Sequence, residues 1–213
     1  MIGQKTIDNT QQTDVMTLDF SKAFYVVAHQ RLLSKLSSCG IRGNVHTWVA
    51  NFLIYCQRVV VNGEASEWVP VSSGLPQGTV LGPLLFLIYF NDITEGISSE
   101  LRLFADDCLL YRVIKSTRDC ELLQQDLDRL VRWSERWLKR FNMQKCTSMS
   151  VHQLRSRYQD YTYEMNDVAL IRTTEQKYLV VTLTPDLRWS TLISSIASKT
   201  NRSLGLVKRL PAR

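Results

Sequence analysis

Residues 101–114 read LRLFADDCLLYRVI, with two adjacent acids set inside an apolar run. Leu101, Leu103 and Phe104 lead into Asp106-Asp107, and Leu109, Leu110, Tyr111 and Val113 lead out. Burying polar groups unsatisfied is costly, roughly 2 to 7 kcal/mol even when they are neutral. The pair therefore sits on a solvated turn, which aspartate supports through its own backbone contacts, or it meets positive charge there. Either way the apolar flanks predict two strands folding back at Ala105 to Asp107.

A second acid has the same setting. Asp19 ends the apolar strand VMTLDF (15–20), and a small-residue turn with an aromatic, SKAF, follows it. Two strand-end acids can meet on adjacent strands of one sheet. There they would bind divalent cations, because Mg²⁺ favours one or two carboxylates completed by phosphate oxygens and water. Two such ions can clamp the attacking and leaving oxygens of a phosphoryl displacement. A third feature is SGLPQGTVLGP (73–83), whose glycines around Pro76-Gln77 let the backbone pass close to a flat or anionic ligand. Taken singly, each feature also reads as a plain turn; the ordered set of three does not.

Composition narrows the classes. The 213 residues are 45% hydrophobic and 22% charged, as in a globular chain. Lys and Arg number 26 against 20 for Asp and Glu, a net +6 that suits a polyanionic partner such as nucleic acid. Cys39, Cys56, Cys108, Cys120 and Cys146 are odd in number and never spaced as CxxC, so neither a disulfide framework nor a zinc site is expected, and the setting is intracellular and reducing. The longest apolar run, VLGPLLFLIYF (80–90), is too short to span a bilayer and contains Gly82 and Pro83. The polar N-terminus does not read as a signal peptide.

Elsewhere the pattern mixes strands and helices without βαβ alternation. A helix is expected from about Val27 to Cys39, stopped by Gly40, and Asn44 is expected to cap a second, in which Val45, Trp48, Val49, Phe52 and Leu53 recur at helical spacing. QRVVVNGEASEWVPV (57–71) predicts a hairpin turning at Asn62-Gly63. LLFLIYFNDI (84–93) reads as a buried helix. Leu123, Leu127, Leu130, Trp137 and Phe141 mark a long amphipathic helix, with Ser116 and Asp119 as its capping box. QKYLVVTLTPDLRW (176–189) reads as a second hairpin and residues 191–210 as a basic helix. The expected class is α+β with an antiparallel sheet.

LDFSKAF (18–24), SGLPQGTVLGPLLF (73–86) and FADD (104–107) resemble the successive palm motifs of reverse transcriptases, in the form found in non-LTR, LINE-type retrotransposons. The likeness continues through CGIRGN, WSERWLKRFNMQKC and KYLVVTLTPDLRW, from about Gln12 to Arg209. It implies a polymerase palm: a small antiparallel sheet flanked by helices, with the start of a helical thumb. Residues 1–11 would be an N-terminal remnant, 12–173 the palm, 174–190 a hairpin like a primer grip, and 191–213 the thumb start. The implied activity is RNA-directed DNA synthesis, with nucleotidyl transfer from a dNTP to a primer 3′-hydroxyl by a two-metal mechanism. Asp19, Asp106 and Asp107, with the backbone of Phe20, would hold two Mg²⁺ or Mn²⁺ ions. Phe20, Ser21, Lys22 and Ala23 would line the triphosphate with backbone amides, an anion-binding use of a turn. Phe24 would block a ribose 2′-hydroxyl, Gln77 between Pro76 and Gly78 would lie against nucleotide and template, and Lys145 would act as general acid for pyrophosphate. The implied partners are RNA template, DNA primer and dNTPs, in the nucleus.

Against that pattern, Tyr25 stands where a second acid is usual, Ala28 and Met143 replace prolines, and Val180 replaces a glycine. Only eighteen residues precede Asp19, so the fingers, an endonuclease domain and most of the thumb are expected to be missing. Such a palm would expose apolar surface. Two further readings compete: a catalytically inactive remnant that at most binds nucleic acid, and another two-metal nuclease or phosphotransferase, for which the extra acidic ligands are lacking.

Overall fold

The chain opens with strand β1 (Gln12–Asp19) and helices α1 (His29–Ser38) and α2 (Gly43–Leu53). The computed structural model describes residues 11–152, 158–179, 181–186 and 190–207. A ribbon of short strands follows, β2 (Tyr55–Gln57), β3 (Val60–Val61), β4 (Glu64–Ala65) and β5 (Val69–Val71), then helix α3 (Leu81–Phe90). The acidic hairpin is β6 (Glu100–Phe104) with β7 (Asp107–Ile114), and helix α4 (Thr117–Arg136) and strand β8 (Thr147–Val151) succeed it. Strands β9 (Glu164–Met165), β10 (Val168–Ala169), β11 (Ile171–Arg172), β12 (Gln176–Tyr178) and β13 (Val181–Leu183) lead to helix α5 (Ser190–Val207). None of the described helices is long and apolar enough to cross a membrane.

Five strands form one sheet in the order β11-β8-β1-β7-β6. β1 lies at its centre, antiparallel to β7 from Gln12↔Ile114 to Asp19↔Asp107, and antiparallel to β8 on its other side. β11 joins β8 in parallel, so the sheet is mixed at that edge and not wholly antiparallel as expected. The intervening β9–β10 hairpin turns the chain back before it rejoins.

Alternation along the strands gives the sheet two faces. Met16 and Leu18, with Cys108 and Leu110, face the helices and pack with Leu85, Phe86, Leu123, Leu127 and Leu130 into the main core. Val15, Leu109, Tyr111, Met149 and Val151 form a second cluster, against which Tyr178 and Leu183 of the β12–β13 hairpin pack. Asp19 shares the parity of Val15, so it ends the strand on that second face.

Several local expectations hold, and others are corrected. Asn62 (φ +52) and Gly63 (φ +88) make the predicted hairpin turn, and Ser116 with Asp119 forms the predicted capping box on α4. Arg42, extended at φ −133, sets the start of α2 at Gly43, which leaves Asn44 inside the first turn and not capping it. Val45 and Trp48 face solvent, and only Val49 and Leu53 of that stripe are buried. α3 buries one side and exposes Leu84 and Leu87. α4 ends at Arg136, short of the expected Phe141: Leu138 takes φ +53 and turns the chain back toward the end of β1. The positive φ of the β12–β13 turn falls on Leu179 (φ +55); Val180 lies outside the described residues. Val59, Val60, Val61, Trp68 and Val69 leave the β2–β5 ribbon with an exposed apolar surface.

One buried cation ties the helices together. Lys35 of α1 is 4% exposed, stands 2.5 Å from Asp92 Oδ1, donates to the Tyr89 carbonyl, and lies 3.9 Å from the centre of the Trp137 ring. Trp133 Nε1 donates to the same Asp92 oxygen at 2.7 Å. Burial lowers the Lys35 pKa, while Asp92 pulls in the other direction.

Candidate active site

The two acidic strand ends meet. Asp19 and Asp107 are direct Cα partners across β1 and β7. A two-residue turn, Ala105-Asp106, closes β6 onto β7 with Phe104 opposite Asp107. Ala105 takes φ +52, an uncommon conformation for a residue with a Cβ.

Asp19 and Asp106 both line a cleft of about 430 Å³, together with Phe20, Ser21, Lys22, Ala23, Phe24, Gln77 and Lys145. The sequence singled out every one of these. Pro76 lines instead a neighbouring cleft of about 630 Å³, which shares Tyr25 and Gln77 with the first. Asp107 and Gly78 do not line the 430 Å³ cleft; Asp107 is half-buried beside it.

The acids repel one another. Burial first, then the charges of Asp106 and Asp19, hold the Asp107 carboxyl above the usual carboxylate range, and Lys145 opposes this. Lys145 Nζ lies 3.3 Å from Asp19 Oδ2. Among the described residues no three Asp, Glu, His or Cys side chains are grouped to ligate a single ion. Asp19 and Asp106 are nonetheless an all-oxygen pair facing one cleft, which suits a hard cation that keeps water or phosphate oxygens in its shell. Burial raises the Asp107 pKa most, and such a cation would relieve the further rise that the Asp106 and Asp19 charges add.

The turn after β1 is held from behind. Phe20 stacks on Phe141 at 4.3 Å and meets Phe90 edge-on at 5.1 Å, and Phe24 stacks on Phe86 of α3 at 4.2 Å. Lys22 takes φ +49, and its carbonyl accepts from the amides of Tyr25 and Val26 at 2.9 and 3.1 Å. The expectation that every amide from Phe20 to Ala23 faces a triphosphate is corrected at Ser21. Its N–H donates to the Arg140 carbonyl at 2.8 Å, because residues 140–142 run alongside as a backing strip. The amides of Lys22 and Ala23 meet no backbone carbonyl among the described residues.

Gly74 makes room for the chain itself. A Cβ there would lie 2.7 Å from the Tyr25 carbonyl, and its φ is +92. The loop is stitched to the turn by Gly74 N–H to Val27 O at 2.9 Å and Leu75 N–H to Phe24 O at 3.0 Å. This stitching carries Gln77 to the cleft.

Three residues were not singled out as functional by the sequence. Tyr25 reads there only as a lost acid; its hydroxyl lies on the cleft and donates to Gln77 Oε1 at 3.3 Å. Asn142 lines the cleft and its N–H donates to the Asp19 carbonyl at 2.8 Å; its nearness to Lys145 in sequence was the available signal. Lys139, 2% exposed, donates from Nζ to the Ala23 carbonyl at 2.5 Å, and nothing in the pattern sets it apart from surface bases.

Burial pushes Lys139 down to about 7 from an ordinary value of 10.5. The unfolded chain then binds a proton that the folded chain has lost between those two values, so stability rises with pH across that window. Urea melts between pH 6 and 10 are expected to show this rise, reaching on the order of 5 kcal/mol at most from Lys139, and Lys139→Met is expected to remove that share and leave the smaller rise due to Lys35.

Comparison with known proteins agrees with this geometry. A family model described as reverse transcriptase (RNA-dependent DNA polymerase) matches residues 3–183. The RNA-directed DNA polymerase from mobile element jockey of Drosophila melanogaster is 28% identical over 202 residues, covering 90% of this chain and 22% of that protein. The probable RNA-directed DNA polymerase from transposon X-element of the same organism is 31% identical over 135 residues, 61% of this chain and 15% of its own length. The chain thus spans about a fifth of the length of the curated relatives it matches. Among solved structures, an apo telomerase from Candida tropicalis, truncated from its C-terminal domain, superposes with a TM-score of 0.56 at 10% identity, over 86% of this chain and 36% of that one. That likeness supports the same α+β palm architecture. With its acids, turn and loop assembled on that frame, the chain belongs to the reverse transcriptase (RNA-dependent DNA polymerase) family and is similar to the polymerases of non-LTR, LINE-type mobile elements.

Proposed function

We propose that this chain provides the palm of an RNA-directed DNA polymerase, joining a dNTP to a primer 3′-hydroxyl on an RNA template. The observation that carries the reading is the meeting of Asp19, Asp106, Gln77, Lys145 and the 20–24 turn on one cleft. Asp19 and Asp106, supported by Asp107, would hold two Mg²⁺ ions, with Mn²⁺ able to substitute. When bound, such ions neutralise charge on the triphosphate and on the attacking and leaving oxygens.

The chain's own residues do the rest. The amides of Lys22 and Ala23 bind the triphosphate, as consecutive N–H groups in a turn bind anions. Phe24, fixed against Phe86, excludes a ribose 2′-hydroxyl. Gln77, tied to Tyr25, lies against the incoming base and its template partner. Lys145 Nζ gives a proton to the leaving pyrophosphate oxygen as the bond to the α-phosphorus breaks. Positioning and charge neutralisation carry the rate in such a transfer. Fingers and endonuclease parts of a longer element protein would complete the polymerase.

A second reading, nucleic-acid binding without catalysis, is favoured by Tyr25 standing at the cleft where the family has an acid. Primer extension on an RNA template with dNTPs and Mg²⁺ or Mn²⁺ separates the two. Extension by the purified chain that vanishes in Asp106→Ala supports the polymerase. A folded, monodisperse sample that binds RNA but extends nothing supports the second reading. Metal binding has its own readout: for a site of about 1 mM affinity, 10 mM Mg²⁺ is expected to add about 1.4 kcal/mol, or roughly 4 °C in Tm, and Asp19→Asn is expected to lose that shift.

A further inference from the structure

Lys139 is a buried basic side chain that the chemistry above does not use. It is 2% exposed, and no carboxylate holds it in an ion pair among the described residues. Its ammonium donates to the Ala23 carbonyl at 2.5 Å and lies 5.2 and 5.6 Å from the ring centres of Tyr89 and Phe90. Burying a charge without a counter-charge costs stability, and a neutral donor could tie down one carbonyl as well. The position of the charge therefore calls for a reason.

That position is directly beneath the turn of residues 20–24. Two backbone bonds fix the same strip on either side, Ser21 N–H to Arg140 O and Asn142 N–H to Asp19 O, both 2.8 Å. A trans peptide is planar, so its carbonyl and the next N–H point in opposite directions. Pinning the Ala23 carbonyl fixes the peptide plane that directly follows the Lys22 and Ala23 amides and turns the Phe24 amide away from Lys139. A positive charge behind the turn favours an anion in front of it.

The geometry points to Lys139 as a positioning residue for the nucleotide triphosphate, holding the 20–24 turn in its anion-binding form and setting a positive charge behind it. The inference rests on the reading of that turn as the triphosphate-binding element. It assigns Lys139 no contact with substrate.

The test is equilibrium dialysis of labelled dTTP with Mg²⁺ against the full chain, alongside thermal melts and primer extension at pH 6.5. Lys139→Met fills the same space without charge, and Lys139→Gln keeps a donor for Ala23 without charge. The expected result is about 10-fold weaker dTTP binding in Lys139→Met, a smaller loss in Lys139→Gln, and no fall in Tm for Lys139→Met. Where extension is measurable, KM for dTTP should rise with kcat altered less than about 3-fold. Wild-type affinity in either folded variant overturns the inference, as does a lowered Tm with unchanged affinity, the mark of a merely structural lysine. A wild-type chain that binds no dTTP overturns it too. A wild-type chain that binds dTTP but extends no primer removes the proposed activity alone, and the Lys139 comparison still stands.

Discussion

Asp106→Asn is expected to lower primer extension at least 10³-fold while leaving the fold intact. Three decades correspond to about 4 kcal/mol of transition-state stabilisation, within reach of one ligand lost from a metal-dependent phosphoryl transfer. The substitution keeps the size of the side chain and the turn in which it sits. It removes the negative oxygen that faces the cleft opposite Asp19. Stability should rise slightly, because the Asp107 carboxyl loses one of the charges that hold its pKa up. Melts and steady-state extension on the same samples check both halves. A variant that keeps more than about a tenth of wild-type rate would remove Asp106 from the proposed metal site.

The second large effect is on stability and lies far from the cleft. Asp92→Ala leaves Lys35, 4% exposed, with a carbonyl, aromatic rings and the more distant charge of Glu95, but no ion-pair partner in contact. It also takes the acceptor from Trp133 Nε1. Removing one partner of a buried ion pair costs about 3 to 5 kcal/mol, since the other charge remains buried. Urea melts at pH 7 are expected to show a loss of that size. The loss should shrink as pH climbs toward the ordinary lysine range, where Lys35 can shed its proton. Lys35→Met with Asp92→Leu is expected to recover most of the stability, because the cost lies in the orphaned charge and not in the missing pair. A double-mutant cycle giving additive losses would count against this account.

Much of the fold could be read in the sequence because its signals are local. Apolar runs beside the acids located β1 and β7, Asn62-Gly63 fixed a hairpin turn, and Ser116 with Asp119 fixed the start of α4. The cleft residues were legible for another reason: carboxylates at strand ends inside apolar runs demand an explanation that few chemistries supply. Asp19, Asp106, Gln77 and the 20–24 turn were named from motifs, and the tertiary structure brings them together.

Other features depended on contacts that spacing does not encode. Trp137 and Phe141 continue the helical period of α4, yet the chain breaks at Leu138, and Phe141 stacks on Phe20 of the turn after β1. Val45 and Trp48 share a stripe with Val49 but meet solvent, because packing covers only the Val49 and Leu53 side of α2 among the described residues. Tyr25 looks in sequence like a lost acid, and only the loop stitched beside it gives its hydroxyl a partner. Lys35 and Lys139 look like any two of 26 basic residues.

By itself, then, the sequence determined the strand ends, the turns, the acids and the kinship to reverse transcriptases, because backbone preference and charge placement act within a few residues. Only the tertiary structure decided which amide of the turn is spent on Arg140, which glycine makes room for the chain itself, and which lysines lie buried. Those outcomes turn on desolvation and on the direction of single hydrogen bonds between segments distant in the chain, and no local pattern carries that information.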